Sequence, residues 1–326
     1  MTSQILPEGR LLTTYSNQKA CADLDGLQCA IESGQVLEGT VLLCDERHDL
    51  HVRLGPFTGL IRREEAALGI AEGTTRDIAI LSKVGKPISF KVTALQESGD
   101  SITPILSRCS AQREALPRLL TLEPGTVIPA TVTHLEPFGA FVDIGWGVPS
   151  MIGVERLSVS RIPHTAERLQ TGQEIFAVVL STDPAAGRVC LTHRELLGTW
   201  AENAALLRPG MTLTGYVRSI KEYGAFVELF PNLSGLVEST DGLTEGDRVS
   251  VFIKSINMSR MKIKLLVLEK LDRTCPPEPL HYFITSGKLE RWDYAVDGCF
   301  KAGSTTIFSP EPASPFPYYD RYISYP

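Results

Sequence analysis

Residues 132–144 read Val-Thr-His-Leu-Glu-Pro-Phe-Gly-Ala-Phe-Val-Asp-Ile, and residues 217–229 read Val-Arg-Ser-Ile-Lys-Glu-Tyr-Gly-Ala-Phe-Val-Glu-Leu. A near copy about 85 residues downstream makes each copy a small domain, not a stacked repeat of roughly 20 to 50 residues. Both copies flank Gly-Ala with two aromatic residues, Phe138 and Phe141 in one, Tyr223 and Phe226 in the other. On a regular strand, residues three apart point to opposite faces. Gly139 allows a bulge that absorbs one residue, after which Phe138 and Phe141 share a face while Ala140, Val142 and Ile144 fill the interior. Two exposed rings on one sheet face form a platform for unpaired bases, each stacked base being worth on the order of 1 to 3 kcal/mol. The competing reading buries both rings in ordinary core. Recurrence of aromatic-Gly-Ala-Phe among varying neighbours favours the surface use.

A third, diverged copy opens the series, because Gly34 to Val41 has the same glycine-then-valine start as Gly125-Thr126-Val127. Matching Arg53-Leu54-Gly55 to Asp143-Ile144-Gly145 places His48 and His51 at the ring positions and Asp49 at the glycine. The trio Cys44, His48, His51 is a weak metal candidate, since residues three apart on an unbulged strand diverge. This copy carries extra sequence over 64–86, whose apolar end at 76–81 suggests an added strand. In the second copy strands are expected at 127–134, 139–144, 150–154, 174–180 and 188–192, with an irregular insertion over 158–169. Five short strands in about 70 residues have the layout of an oligonucleotide-binding barrel. The fold class expected is all-β: three tandem five-stranded barrels joined by short helices.

The expected divisions are an N-terminal extension with a short helix over 1–33, barrels over 34–107, 122–193 and 209–268, a small C-terminal segment over 272–308 and a disordered tail over 309–326. Residues 1–19 show no periodicity and read as loose. Asp23 and Gly34 are placed to cap an amphipathic helix. Pro117 is expected to break a linker helix over 107–121. Thr192-x-x-Glu195 reads as a capping box opening the next one. Residues 282–289 resemble a hairpin, with Trp292, Tyr294 and Phe308 anchoring that segment to the third barrel. In the third copy Arg260, Lys262 and Lys264 alternate with apolar residues, as on a half-buried strand with a cationic outer face. Such cations either protect a sheet edge or, with Lys221 and Lys254, form a phosphate track.

The net charge of -6 excludes a uniformly basic coat, so nucleic-acid affinity must come from local patches. Seven scattered cysteines without a Cys-x-x-Cys pair fit reduced thiols. No apolar run reaches the length of a membrane span, and the start of the chain does not read as a leader, so the expected location is the cytoplasm.

These residues resemble the RNA-binding repeats of the ribosomal protein S1 family, over about residues 34–268 and most closely in the second and third copies. The resemblance implies an oligonucleotide-binding barrel that holds RNA through the two ring positions, a histidine after the third strand, and an aspartate and a basic residue near the last strand. Carried over, the RNA-binding positions are Phe138, Phe141, Asp183 and Arg188 in the second copy. In the third they are Tyr223, Phe226 and Lys262, which Arg260 and Lys264 flank. The histidine is absent: Gly153, Glu238 and Arg62 stand in its place. The repeat number resembles short homologues of low-GC Gram-positive bacteria.

The function expected is non-catalytic holding of single-stranded RNA, messenger RNA in translation, with the small ribosomal subunit as a further partner. No cofactor, metal, membrane or small-molecule substrate is expected. No Gly-rich phosphate loop, His-Glu-x-x-His or nucleophile elbow is found. The alternative is a protein-interaction scaffold, or an accessory factor in RNA processing or decay with weak RNA affinity.

Overall fold

The computed structural model describes residues 4–99, 101–272, 279–296, 298–299 and 305–309. Its strands close into three barrels. The first is built from β1 (Val36–Cys44), β2 (Leu50–Leu54), β3 (Phe57–Ile61), β4 (Pro87–Ser98) and β5 (Ser101–Ser107). The second contains β6 (Val127–Glu136), β7 (Gly139–Asp143), β8 (Pro149–Gly153), β9 (Glu174–Asp183) and β10 (Arg188–Thr192). The third contains β11 (Thr212–Lys221), β12 (Gly224–Phe230), β13 (Leu233–Val237), β14 (Arg248–Asn257) and β15 (Lys262–Leu271). In every barrel the third and fifth strands run parallel and the other neighbours antiparallel, the closure of an oligonucleotide-binding barrel. Alternation turns one face of each strand inward: Ala140, Val142, Ile152, Ala177, Val179 and Leu191 are fully or almost fully buried in the second core. Each Val, Leu or Ile so buried stabilises by about 1.5–3 kcal/mol.

The helix over Leu24–Ser33 (α2) forms as its caps require. Asp23 accepts from the Gly26 N–H at 2.8 Å, and Gly34 adopts the left-handed conformation at φ 65°. Leu27 and Ala30 on its inner face cover the first core. The residues before it differ from expectation. Tyr15–Ala20 is a helix (α1), and residues 5–14 are docked, because buried Glu38 accepts the N–H groups of Gly9, Leu11 and Leu12. Glu8 is buried as well and pairs with Arg108 and Lys83.

The apolar run near 76–81 is a one-turn helix, Ile78–Leu81 (α3), not a strand. Arg63 holds Asp77 at 2.6 Å, and a single turn buries Ile80 while its backbone bonds stay local. The linker helix Arg108–Leu120 (α4) is continuous through Pro117. Proline here lies in the last turn and removes one N–H bond, while Ala111, Ala115 and Leu119 remain packed in the second core. The expected box at Thr192 is replaced by a 3-10 turn, Arg194–Leu197, that Gly198 ends at φ 81°. The true capping box is Thr199 with Glu202, opening Trp200–Ala205 (α5).

Residues 282–289 form no hairpin. They lie along the second barrel, where Lys288 bridges Thr126, because the groove offers Val178, Leu196 and Phe176 to Tyr282, Ile284 and Leu289. Trp292 and Phe308 join that cluster on the second barrel, whereas Tyr294 also reaches the third and donates to the Asn232 carbonyl at 2.8 Å. Arg291–Asp293 (β16) and Thr305–Ile307 (β17) pair as a short ribbon. The expected tail lies outside the described residues beyond Ser309. Among the described residues no helix is long and apolar enough to cross a membrane.

Candidate nucleic-acid interface

The rings of each pair meet by a route other than the expected bulge at glycine. Pro137 and Phe138 form a two-residue turn between β6 and β7, across which Glu136 pairs with Gly139. The bulge lies on the partner strand. Val132 pairs with Val142 and His134 with Phe141, so Thr133 is the extra residue, and its hydroxyl donates to the Phe141 carbonyl at 3.2 Å. Phe138 therefore rides on the turn and Phe141 on the outer face of β7. Gly139 is needed for close approach instead: a Cβ there would lie 3.0 Å from the Ile152 carbonyl oxygen. At Gly224, with φ 142°, it would lie 2.3 Å from that of Val237.

Phe138 is 57% exposed and Tyr223 64%. Their ring centroids lie 6.0 Å from Phe141 and 6.1 Å from Phe226, both edge to face. The second ring of each pair extends a row across the sheet. In the second barrel it runs His134, Phe141, Met151, Cys190; in the third, Ser219, Phe226, Leu236, Lys264. Sequence reading missed His134, Met151, Cys190 and Leu236. A two-residue turn placed at Pro137-Phe138 would by itself have put His134 opposite Phe141, since the bulge lies beyond that pair.

The other sequence-derived positions are less tightly grouped. Arg188 pairs with Asp183 at the β9–β10 hairpin, two residues before Cys190 and hence about 7 Å along the strand from the ring row. Asp183 also accepts the Ala186 N–H at 3.0 Å. Arg260 lies in the β14–β15 turn rather than on the strand, because Asn257 Oδ1 accepts its N–H at 2.9 Å and Met261 takes φ 50°. Lys262 and Lys264 project from β15 into solvent between buried Ile263 and Leu265, as the alternation requires. Lys264 contacts Glu238 at 2.8 Å and holds that carboxyl below its ordinary range.

The first barrel keeps the register without the platform. Leu43 pairs with His51 as His134 does with Phe141, but three residues, 46–48, close the turn, with His48 at φ 62°. The His48 ring turns to Asp77 at 3.3 Å, and His51 to Asp45 at 3.2 Å. Among the described residues no group of three or more His, Cys, Asp or Glu side chains is placed to hold a metal ion.

A buried seam joins the second and third barrels. Arg168 holds Glu228 through both oxygens at 2.6 and 3.0 Å, and Arg218 adds a bond at 2.7 Å and reaches Glu167. Burial alone would raise Glu228, but the two guanidinium groups outweigh it and hold the carboxyl below its ordinary range. Asn232 accepts the Val159 N–H at 2.9 Å and donates to the Arg194 and Gly198 carbonyls at 2.7 Å. These buried bonds tie the third barrel to the insertion of the second.

Closed five-stranded barrels in series, two of them with outward ring pairs at one register, define a tandem oligonucleotide-binding-barrel protein. The family model of the S1 RNA binding domain matches residues 121–194, the second barrel. The second barrel thus matches an S1 RNA binding domain, and the chain is similar over much of its length to small ribosomal subunit protein bS1. The protein of that name from Neisseria meningitidis is 30% identical over 276 residues, which cover 78% of this chain and 47% of the relative. The homolog from Bacillus subtilis is 32% identical over 202 residues, covering 57% of this chain and 52% of the relative. The protein from Leuconostoc lactis is 30% identical over 190 residues, covering 55% and 41%. The chain spans about half the length of these curated relatives.

Proposed function

We propose that this chain is a non-catalytic protein that holds single-stranded RNA across its second and third barrels, and that the RNA is messenger RNA at the small ribosomal subunit. The observation that carries the reading is the recurrence of a solvent-facing ring pair at the same register in two barrels, with centroids 6.0 and 6.1 Å apart. Unpaired bases stack on such rings whatever their sequence. Cations at Arg188 and Lys262 lie on the same barrels to meet phosphates. The names of the bS1 relatives support the ribosomal setting. One strand that reaches both platforms gains avidity from two modest sites.

The test is binding of a single strand of about 20 nucleotides, long enough for two such barrels, measured at rising salt. Affinity should fall steeply with salt, and Phe141→Ala with Phe226→Ala should remove most of it; unchanged affinity in the double variant refutes the reading. Ribosomal fractions collected with and without nuclease treatment test the setting, through enrichment of the protein with small subunits. The scaffold reading draws on the first barrel, where Leu42, Leu43, Ile78, Leu81 and Val84 are exposed and no ring pair is present. Undetectable RNA binding at low salt would favour it.

A further inference from the structure

We infer that His134 is a third stacking residue of the second barrel, which widens its platform from two rings to three. This rests on the RNA-holding reading and assigns a residue to it. His134 lies directly across from Phe141 in the β6–β7 ladder, on the flank opposite Met151. Its ring centroid is 6.1 Å from that of Phe141, with the planes inclined by only 33°, whereas Phe138 meets Phe141 at 89°. Of the two neighbours of Phe141, the imidazole is thus the one whose face is closer to parallel with it.

The ring is free to take a base and is also held. Its side chain is 64% exposed, and Nε2 contacts Glu136 Oε1 at 2.7 Å. The Glu136 backbone is fixed in turn, since its carbonyl accepts the Thr165 hydroxyl at 2.8 Å. A ring oriented at its edge by a carboxylate loses less freedom when a base settles on its face. The bulge at Thr133 turns His134 outward: Val132, before it, is buried and His134, after it, is exposed.

The same register is filled differently in the other barrels, by Ser219 in the third and Leu43 in the first. Neither can stack, so the third ring is particular to the second barrel. Its ligand is an unpaired nucleotide next to the one on Phe141, in a strand that crosses the sheet along the row from β7 to β6.

The experiment uses the full chain and a mixed-sequence single-stranded RNA of about 20 nucleotides, with affinity read by fluorescence anisotropy and folding by thermal melting. His134→Ala should weaken binding about fivefold, one stacked base at the weak end of the range. His134→Phe should stay within about twofold of the parent, because it keeps a π-face and discards the contact with Glu136. Phe141→Ala serves as the reference and should weaken binding by about tenfold or more. If Phe141→Ala weakens binding and His134→Ala does not, the third ring is wrong and the RNA-holding reading stands. If His134→Phe loses as much as His134→Ala, stacking is the wrong role. If neither alanine variant changes affinity, the second barrel does not hold RNA by its rings and both readings fall.

Discussion

The first and second barrels share a ladder register, yet at two equivalent positions they carry unlike chemistry. Across from the bulged strand the first has His51 and the second Phe141; just after the last strand the first has Arg108 and the second His193. Both residues of the latter pair are buried and clamp a remote segment. Arg108 grips Glu8 of the N-terminal stretch at 2.7 Å. His193 uses neutral hydrogen bonds: Nδ1–H donates to the Leu157 carbonyl at 2.9 Å, and Nε2 accepts from the Tyr282 hydroxyl at 2.9 Å. The difference teaches that the barrel frame tolerates divergence where a side chain leaves it, and that the seams are as distinct from one another as the outer faces.

The charged clamp should produce the largest effect. Burial alone would raise Glu8, but Arg108 and Lys83 outweigh it and hold the carboxyl at about 2. Arg108→Met removes one partner and leaves a buried carboxylate with Lys83 alone, which should destabilise the chain by about 3–5 kcal/mol. Urea unfolding measures this, and a loss below about 1 kcal/mol would mean that Arg108 and Glu8 are not the charged clamp described here.

The repeated aromatic-Gly-Ala-Phe signal made the barrels and the ring pairs legible in sequence, because a period-2 pattern with a fixed turn constrains every neighbour. The seams were not legible. Arg168 and Glu228 look like ordinary surface charges in sequence, and only the packing of one barrel on another buries them, while the Glu8 carboxylate is covered where the N-terminal stretch docks on Arg108 and Lys83. His134 was hidden for a related reason: its facing depends on the bulge at Thr133, which moves to the other strand the irregularity that Gly139 suggested. The 78–81 helix misled because four apolar residues carry no period of their own.

Exchange of the ring positions breaks the comparison on the outer face. Phe138→Ala with Phe141→Ala should weaken binding of single-stranded RNA by about thirtyfold, whereas His48→Ala with His51→Ala in the first barrel should change it less than about twofold. Equal losses in the two variants would show that the first barrel takes part after all.

Acid should separate the clamps. Burial pushes His193 down to about 4, while an unfolded histidine titrates near 6.5. Between these values the unfolded chain binds a proton that the folded chain does not, so stability is lost as pH falls through about 6.5 and the loss is complete near 4. From about pH 7 to 5 this amounts to about 2 kcal/mol. Glu8, held at about 2, loses its contribution only as pH drops below about 4.5. Asp143, which burial and the neighbouring Glu8 carboxylate push up to about 7, titrates in the same window with the opposite sign, so the His193 share is read as a difference: between pH 7 and 5 the parent should lose about 2 kcal/mol relative to His193→Asn by urea midpoints, and an unchanged difference would remove His193 as a cause.

The smallest effect lies in the third barrel, where the cations proposed to meet phosphate differ in whether a carboxylate already pairs with them. Lys264 is committed to Glu238 at 2.8 Å, while Lys262, two residues earlier on the same outer face, lies closer to the β14–β15 turn. A phosphate that displaces Glu238 from Lys264 gains little net charge neutralisation, so Lys262 should carry more of the counterion release. Lys262→Ala should lower the slope of log affinity against log salt by about 0.7, the single-strand value, and Lys264→Ala by less. Glu238→Gln should then raise the Lys264 contribution toward that of Lys262. If Lys264→Ala proves the more costly in the parent chain, RNA is entering along β13 and β15 past Glu238, and the ring row, rather than the turn end of the barrel, sets the path of the backbone.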